Sequence, residues 1–367
     1  MRIVVVGGSG NFGARICRAL AGRIDAEVIA AGRDPDGAHA ALADERIKRV
    51  HIDIAAPDFS EQLRDLAPAM VVHCAGPYQQ QGYHVATAAI AAGAQYVDLS
   101  DGREFVTNFA GRMHASARAA GVLAVSGAST VPALSSAVID NLGRRLAQIH
   151  EIRIVIAPGQ RAPRGTATLT SVLSYAGRSF SWLRDGEWAD AWGWQELRRV
   201  NIAGLGRRWA AACDVPDLAL LPARYPGVAT VEFRAALELG IEHLALWLAA
   251  ALRRRGARLP LERWAPALNG IASALNVMGS ERGGMLVSLI GTRDDGSRAR
   301  IEWHLTADAN HGPEIPCMAA ILLAEKLARG EIATRGAFAC LGFLTLADFE
   351  AEFKRWQIMT VVREGAA

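Results

Sequence analysis

Short runs of valine and isoleucine recur along the first 125 residues, and segments with helical periodicity separate them. The strand-like runs cover residues 2–6, 27–31, 48–52, 70–74, 95–99 and 122–125. Several of these runs lack polar alternation, which is typical of strands covered on both faces. The clearest helical segments are 12–21, 83–92 and 103–120. This rhythm predicts a doubly wound parallel sheet with right-handed crossovers.

The pattern changes after Gly127. Strand-like runs at 149–156, 228–235 and 285–292 are spaced more widely. The turn residues 294–297 predict that 285–306 forms a hairpin. On its second strand the small and apolar residues Ala299, Ile301, Trp303 and Leu305 share one face, and the polar ones, including His304, share the other. We therefore expect a second α+β domain with a mixed or antiparallel sheet.

Two further features of the second part leave alternatives open. Residues 236–252 are apolar but contain Glu238, Glu242 and His243. This segment favours a buried amphipathic helix whose C-terminus carries the basic residues 253–255, and a helix on a membrane surface is the alternative. Four tryptophans between 182 and 194 predict either core packing or the lining of an apolar pocket.

Composition and charge narrow the class of protein. The chain has 367 residues, of which 51% are hydrophobic and 21% charged, which predicts two globular domains. Its 40 basic and 37 acidic residues give no reason to expect a nucleic acid partner. The five cysteines form no C-x-x-C pair, so reduced buried thiols are expected and no metal site. The N-terminus lacks a signal-peptide pattern, and we expect a cytoplasmic protein without a transmembrane segment.

The sharpest motif is a G-x-G-x-x-G between the first strand and the first helix. It reads Gly8-Ser9-Gly10-Asn11-Phe12-Gly13. In this context the first glycine allows the tight turn, the second lets a pyrophosphate approach the backbone, and the third allows close packing of helix and strand. The motif predicts a Rossmann-type dinucleotide-binding domain.

The residues that follow the second strand indicate which of the two nicotinamide dinucleotides the protein binds. An acid there would bind the ribose 2′-hydroxyl of NAD, whereas this chain has Arg33, which can pair with a 2′-phosphate. NADP(H) is therefore favoured over NAD(H), although Asp34 could compete as a ribose ligand. Asp53, after the third strand, is a candidate for contact with the adenine, and a role in a turn or helix cap is equally compatible.

Three stretches together resemble the saccharopine dehydrogenase family. They are GSGNFG at 8–13, VVHCAGPY at 71–78 with GAQYVDLS at 93–100, and GASTVPALS at 127–135. The resemblance implies a two-domain reductase that is often a homodimer. Members of the family make or break secondary amines between amino-acid-like partners, form polyamines, or reduce lipid-related substrates. It also implies that the C-terminal helices return to the nucleotide domain.

Several residues that follow predicted strands are candidates for cofactor binding and chemistry. Ala75, Gly76 and Pro77 end the fourth strand, at the sheet edge where ligands bind in such folds. Tyr78 is a candidate catalytic residue, with aromatic packing as the alternative. Asp101, like Asp98, could bind a substrate amine or transfer a proton, and capping of the next helix is the alternative.

The sequence as a whole predicts an NADP(H)-dependent oxidoreductase that acts on a small molecule. Residues 1–127 with 311–367 are expected to form the dinucleotide-binding domain, and 128–310 the substrate-binding and dimerisation domain. The favoured reaction is hydride transfer to or from a small imine or carbonyl of amino-acid-like chemistry. The alternatives are a lipid-related enoyl or carbonyl reductase and a dinucleotide-binding protein without catalytic activity.

Overall fold

The chain divides into two compact units in a computed structural model that describes residues 1–34, 44–79, 81–163 and 165–367. Unit 1 comprises Met1–Leu134 and Glu314–Leu344, and unit 2 comprises Ser135–Pro313 and Thr345–Ala367. Strands and helices are numbered along the chain. Within the described ranges, no helix is both long enough and apolar enough to cross a bilayer.

Unit 1 is built on a parallel sheet of seven strands among the residues described. The strands are β1 (Arg2–Val6), β2 (Glu27–Gly32), β3 (Ile47–His51), β4 (Met70–His73), β5 (Gln95–Asp98), β6 (Leu123–Ser126) and β15 (Gly336–Ala339). Their spatial order is β15-β6-β5-β4-β1-β2-β3, and every neighbouring pair is parallel. The order places β1 and β4 side by side where the winding reverses, which is the ligand-binding position in open parallel sheets.

Helices cover this sheet. They are α1 (Asn11–Arg23), α2 (Phe59–Asp65), α3 (His84–Ala91), α4 (Arg103–Ala119) and α10 (Ile315–Ala328). In β1, residues Ile3 to Val6 are buried, which explains a valine-rich run without alternation. The predicted Rossmann-type sheet is confirmed.

Unit 2 contains a mixed sheet. Its strands are β7 (Gln148–Ala157), β8 (Ser179–Arg184), β9 (Glu187–Trp192), β10 (Arg198–Ile202), β11 (Gly206–Ala212), β12 (Thr230–Ala235), β13 (Gly283–Thr292), β14 (Arg298–Ala307) and β16 (Met359–Ala366). Among the pairs of named strands in the described residues, only β7–β12 is parallel. Its α-helices are α5 (Ser135–Gly143), α6 (Thr166–Tyr175), α7 (Asp217–Arg224), α8 (Gly240–Arg254), α9 (Ala265–Ala274) and α11 (Leu346–Arg355).

The predicted hairpin is present as β13 and β14. The alternation of apolar and polar residues along β14 determines which of its side chains enter the core of unit 2. Ala299, Ile301, Trp303 and Leu305 are all buried.

The four tryptophans between 182 and 194 differ in burial. Trp182 and Trp194 lie in the core, whereas Trp188 is exposed and Trp192 is half-buried.

The C-terminal residues differ from the predicted domain bounds. The sequence placed all of 311–367 with the dinucleotide-binding domain, but Thr345–Ala367 belong to unit 2. The reason is that β16 pairs along β14, with Thr306 opposite Met359 and Ala299 opposite Ala366. The residues that return to unit 1 are α10, which packs on α1, and β15, which extends the sheet beside β6.

Candidate functional site

The glycine-rich loop closes tightly against β2. The backbone N–H groups of Gly7 and Gly8 both donate to the carbonyl of Ala31, at 2.8 and 3.1 Å. A Cβ at Gly8 would lie 2.7 Å from Cα of Ala30, and a Cβ at Gly13 would overlap the carbonyl oxygen of Gly7. Gly8 and Gly13 are therefore required by packing of the loop, β2 and α1.

Gly10 has a different environment. It is exposed, and a Cβ there would meet only the carbonyl oxygen of Gly7, at 3.2 Å, apart from its chain neighbours. Gly10 precedes the first residue of α1, whose first turn contains no acidic residue. Backbone N–H groups in the first turn of a helix have no acceptor inside the helix and attract anions. The backbone around Gly10 is open to a phosphate, with favourable helix polarity.

The end of β2 lies beside this loop, and Asp53 follows β3, the next strand of the sheet. A Cβ at Gly32 would come 3.4 Å from the hydroxyl of Ser9, so the end of β2 borders the loop. Arg33 follows immediately and is exposed. Asp53 uses one carboxylate oxygen to accept a hydrogen bond from the N–H of Ala55, at 3.0 Å. This contact is the turn role that the sequence left open for Asp53.

The loop after β4 meets the glycine-rich loop. A Cβ at Gly7, which has φ +80°, would lie 2.9 Å from the backbone nitrogen of Ala75. The amide of Gln81 donates to the carbonyls of Ala75, at 2.6 Å, and Pro77, at 2.9 Å. Gln81 therefore holds the segment Ala75–Pro77 in place, a role for which the sequence pattern contains no signal.

Tyr78 points into the interior of unit 1. Its hydroxyl donates to the carbonyl of His73 at 2.7 Å, and its ring packs against that of Phe105, with the centroids 5.4 Å apart. Burial raises the pKa of Tyr78 well above its usual value, and the charge of Asp98 acts in the same direction. This geometry favours the packing alternative for Tyr78.

The two aspartates after β5 have different surroundings. Asp98 is fully buried, and burial raises its pKa to about 6 although four hydrogen-bond donors act to lower it. Asp101 is half-buried, and one of its carboxylate oxygens accepts a hydrogen bond from the side chain of Gln79 at 3.1 Å. Of the two carboxylates, only that of Asp101 is accessible to a substrate.

The cysteines of the chain lie apart from one another in its sequence. All five are free of disulfide bonds; four are buried, and Cys74 is half-buried. Burial raises the pKa of Cys17 to about 12, so this thiol stays protonated at neutral pH. In the part of the chain that the structure describes, no cluster of His, Cys, Asp and Glu could hold a metal ion.

Comparison with known proteins shows which family the first 125 residues resemble. Residues 3–125 match the family model of the saccharopine dehydrogenase NADP binding domain. This match covers the first two of the three motif stretches, where it confirms the resemblance, and it supports the predicted class, an NAD(P)-dependent oxidoreductase. A search of curated proteins gave no match.

Two solved structures share the fold over the whole chain. Saccharopine dehydrogenase (L-Glu forming) from Saccharomyces cerevisiae is 13% identical, with a TM-score of 0.68 and coverage of 100% of both chains. The homospermidine synthase of Legionella pneumophila, solved in complex with NAD, is 9% identical, with a TM-score of 0.60 and coverage of 100% of this chain and 91% of that one. At such low identities the likeness establishes the fold.

Proposed function

We propose that this protein is an NADP(H)-dependent oxidoreductase that transfers a hydride to or from a small imine or carbonyl of amino-acid-like chemistry. The observation that carries the cofactor assignment is the open backbone at Gly10 next to the exposed Arg33. The family match to an NADP binding domain supports it. The name of the yeast enzyme, a saccharopine dehydrogenase that forms L-Glu, supports the substrate class.

The residues of unit 1 have separate roles in this proposal. The backbone from Gly8 to Gly13 and the start of α1 hold the pyrophosphate, and Arg33 pairs with the 2′-phosphate. Asp53 borders the adenine, and Ala75–Pro77 border the nicotinamide half. The bound nicotinamide supplies or accepts the hydride. Without an acidic group at the end of β2 itself, the site favours NADP(H) over NAD(H).

Asp101 is the residue that we assign to the substrate. Its half-buried carboxylate follows β5 at the carboxyl edge of the sheet, and it can bind a substrate amine or hold the proton that accompanies the hydride. Tyr78 receives no part in proton transfer because its hydroxyl is buried on the carbonyl of His73.

The homodimer expected from the resemblance stays a prediction, which sedimentation velocity tests.

The cofactor assignment is tested by titrating the full chain with NADPH and NADH separately. We expect preference for NADPH, and Arg33→Ala to weaken NADPH binding about tenfold to hundredfold while leaving NADH unchanged. Arg118→Ala is the matched control, because Arg118 is exposed at the far end of α4. If neither nucleotide binds, or if both variants behave alike, the cofactor assignment fails.

The substrate class is tested by following NADPH absorbance with mixtures of 2-oxo acids and primary amines. Asp101→Asn should lower turnover while NADPH affinity stays unchanged. If the protein turns over enoyl thioesters but none of these mixtures, the proposal of an amino-acid-like substrate fails and a lipid-related substrate is favoured.

A further inference from the structure

The outer face of α8 exposes a line of large apolar side chains. Ile241, Leu244, Leu248 and Leu252 are spaced by three or four residues and therefore lie on one side of the helix. Their exposed fractions are 67%, 42%, 52% and 44%. We call these four residues the α8 stripe.

The opposite face of α8 already has its packing partners. His243, Ala250 and Ala251 are buried. The guanidinium of Arg253 donates to the carbonyl of Leu173 in α6 at 3.1 Å, and the side chain of Gln195 donates to the carbonyl of Trp247 at 3.0 Å. The α8 stripe is thus not needed to fix α8 within unit 2.

Positive charge follows the α8 stripe along the chain. Between residues 240 and 278 there are five arginines, 253, 254, 255, 258 and 263, and two acids, Glu242 and Glu262. The net charge of this segment is 5 − 2 = +3, as large as that of the entire chain. Both acids are engaged, Glu242 with Gln160 at 2.8 Å and Glu262 with Arg253 at 2.8 Å. The arginines at 254, 255, 258 and 263 are exposed.

Aromatic side chains accompany these arginines. The guanidinium of Arg254, at the end of α8, lies 4.8 Å from the centre of the Trp192 ring. Trp264, which follows Arg263, is 44% exposed. Tryptophan and arginine are the residues that suit the boundary between apolar and aqueous phases, because both combine apolar area with a polar end.

We propose that α8 is a membrane-surface helix that binds anionic phospholipid. The α8 stripe lies among the acyl chains near the headgroups, and the arginines of residues 254–263 pair with lipid phosphates. Fifteen residues suit a helix that lies in the plane of the surface. A second copy of the chain is the less favourable occupant, since a symmetric interface would bring the same arginines together.

The test is flotation of the full chain with vesicles of phosphatidylglycerol or of phosphatidylcholine. We expect binding to the anionic vesicles only, weakened by salt. The double variant Leu244→Gln with Leu248→Gln should bind about tenfold or more weakly. Replacement of Arg254, Arg255 and Arg258 by Gln should weaken binding roughly a hundredfold. The control replaces Val361 and Val362, exposed apolar residues of β16 in the same unit, by Gln and should leave flotation unchanged.

The proposal is independent of the cofactor site, and tryptophan fluorescence, which reports on unit 2 because all nine tryptophans lie there, serves as the check on folding of each variant. Absence of flotation of the wild type with phosphatidylglycerol would overturn it, as would equal flotation of the leucine variant and the wild type. Sedimentation velocity tests the alternative, in which a second copy of the chain covers the α8 stripe. A wild-type dimer that the leucine variant converts to monomer would make the α8 stripe an interface between copies and overturn the membrane assignment.

Discussion

The backbone N–H of Gly127 donates a hydrogen bond to a carboxylate oxygen of Asp98, 2.9 Å away. The same oxygen accepts hydrogen bonds from the hydroxyl of Ser126, at 3.0 Å, and the N–H of Ser100, at 2.9 Å. Because β5 and β6 are neighbours in the sheet, one buried carboxylate joins the two loops that follow them. The loop that carries Asp101 is among those it fixes.

We expect Asp98 to make the stability of unit 1 depend on pH. Its folded-state pKa of about 6 lies above the ordinary value of 3.8, so between these values the folded protein keeps a proton that the unfolded chain releases. The free energy of unfolding should therefore fall by up to about 3 kcal/mol as pH rises from 4 to 6 and beyond. Asp98→Asn should remove this fall.

Hydrogen exchange of β5 and β6 amides in increasing urea measures this effect. Fluorescence is unsuitable, since all nine tryptophans lie in unit 2. Asp101→Asn is the matched control and should keep the wild-type pH dependence. An unchanged pH dependence in Asp98→Asn would mean that the buried carboxylate is ionised throughout the range.

Tyr78→Phe should affect stability and leave nucleotide binding intact. The variant loses the hydrogen bond to the carbonyl of His73, which costs about 1 kcal/mol in the free energy of unfolding of unit 1. NADPH affinity should stay within about twofold, because the hydroxyl is buried and donates to the carbonyl of His73 rather than to the cofactor. Tyr83→Phe, which loses a less buried bond to the carbonyl of Phe105, is the control. A large loss of turnover with unchanged stability would indicate that the hydroxyl of Tyr78 takes part in the reaction.

The local pattern sufficed to predict the glycine-rich loop and its sheet. Glycine spacing and the valine run before it are properties of neighbouring residues, and they led to the strand, turn and helix that the structure shows at β1, Gly8–Gly13 and α1. The same holds for the alternation of β14, where Trp303 and Leu305 are buried as expected.

Contacts between residues that are far apart in the sequence could not be predicted from local patterns. Gln81 holds the carbonyls of Ala75 and Pro77, but nothing in its own neighbourhood marks it. By the alternation of β14, His304 shares the polar face, yet it is buried: the turn between β10 and β11 covers it, and the N–H of Ala203 donates to its ring at 3.3 Å. Similarly, the pairing of β16 with β14 joins strands separated by the return of the chain to unit 1.

Gly10→Ala should separate cofactor binding from folding. Gly10 has φ −73° and ψ 171°, which alanine adopts readily, so the free energy of unfolding should change by less than about 1 kcal/mol. The new methyl group stands where we expect the pyrophosphate to approach, and NADPH affinity should fall about tenfold or more. Gly22→Ala is the control in the same helix; it has open space around its Cβ and should gain up to about 1 kcal/mol with unchanged affinity. Equal NADPH affinity in the two variants would place the phosphates elsewhere.

Glu232→Gln should destabilise unit 2 strongly. This residue is buried, and four arginines, Arg153, Arg184, Arg198 and Arg234, lie 3.2 to 3.9 Å from its carboxylate. Burial acts to raise the pKa of Glu232, but the arginines outweigh it and hold the pKa below its usual value. Removing the charge leaves the buried Arg234 among like charges, at a cost of about 3–5 kcal/mol in the free energy of unfolding.

Tryptophan fluorescence in urea measures this cost, because it reports on unit 2 alone and because Trp182 lies under the guanidinium of Arg234, 5.2 Å from it. Glu187→Gln, at an exposed position of β9, is the control and should change stability by less than about 0.5 kcal/mol. Since the folded-state pKa of Glu232 is lowered, its contribution is present at neutral pH and is lost as pH falls through that pKa, so the difference between wild type and Glu232→Gln should shrink in acid. A cost below about 1 kcal/mol at neutral pH would mean that water already screens the arginines from one another.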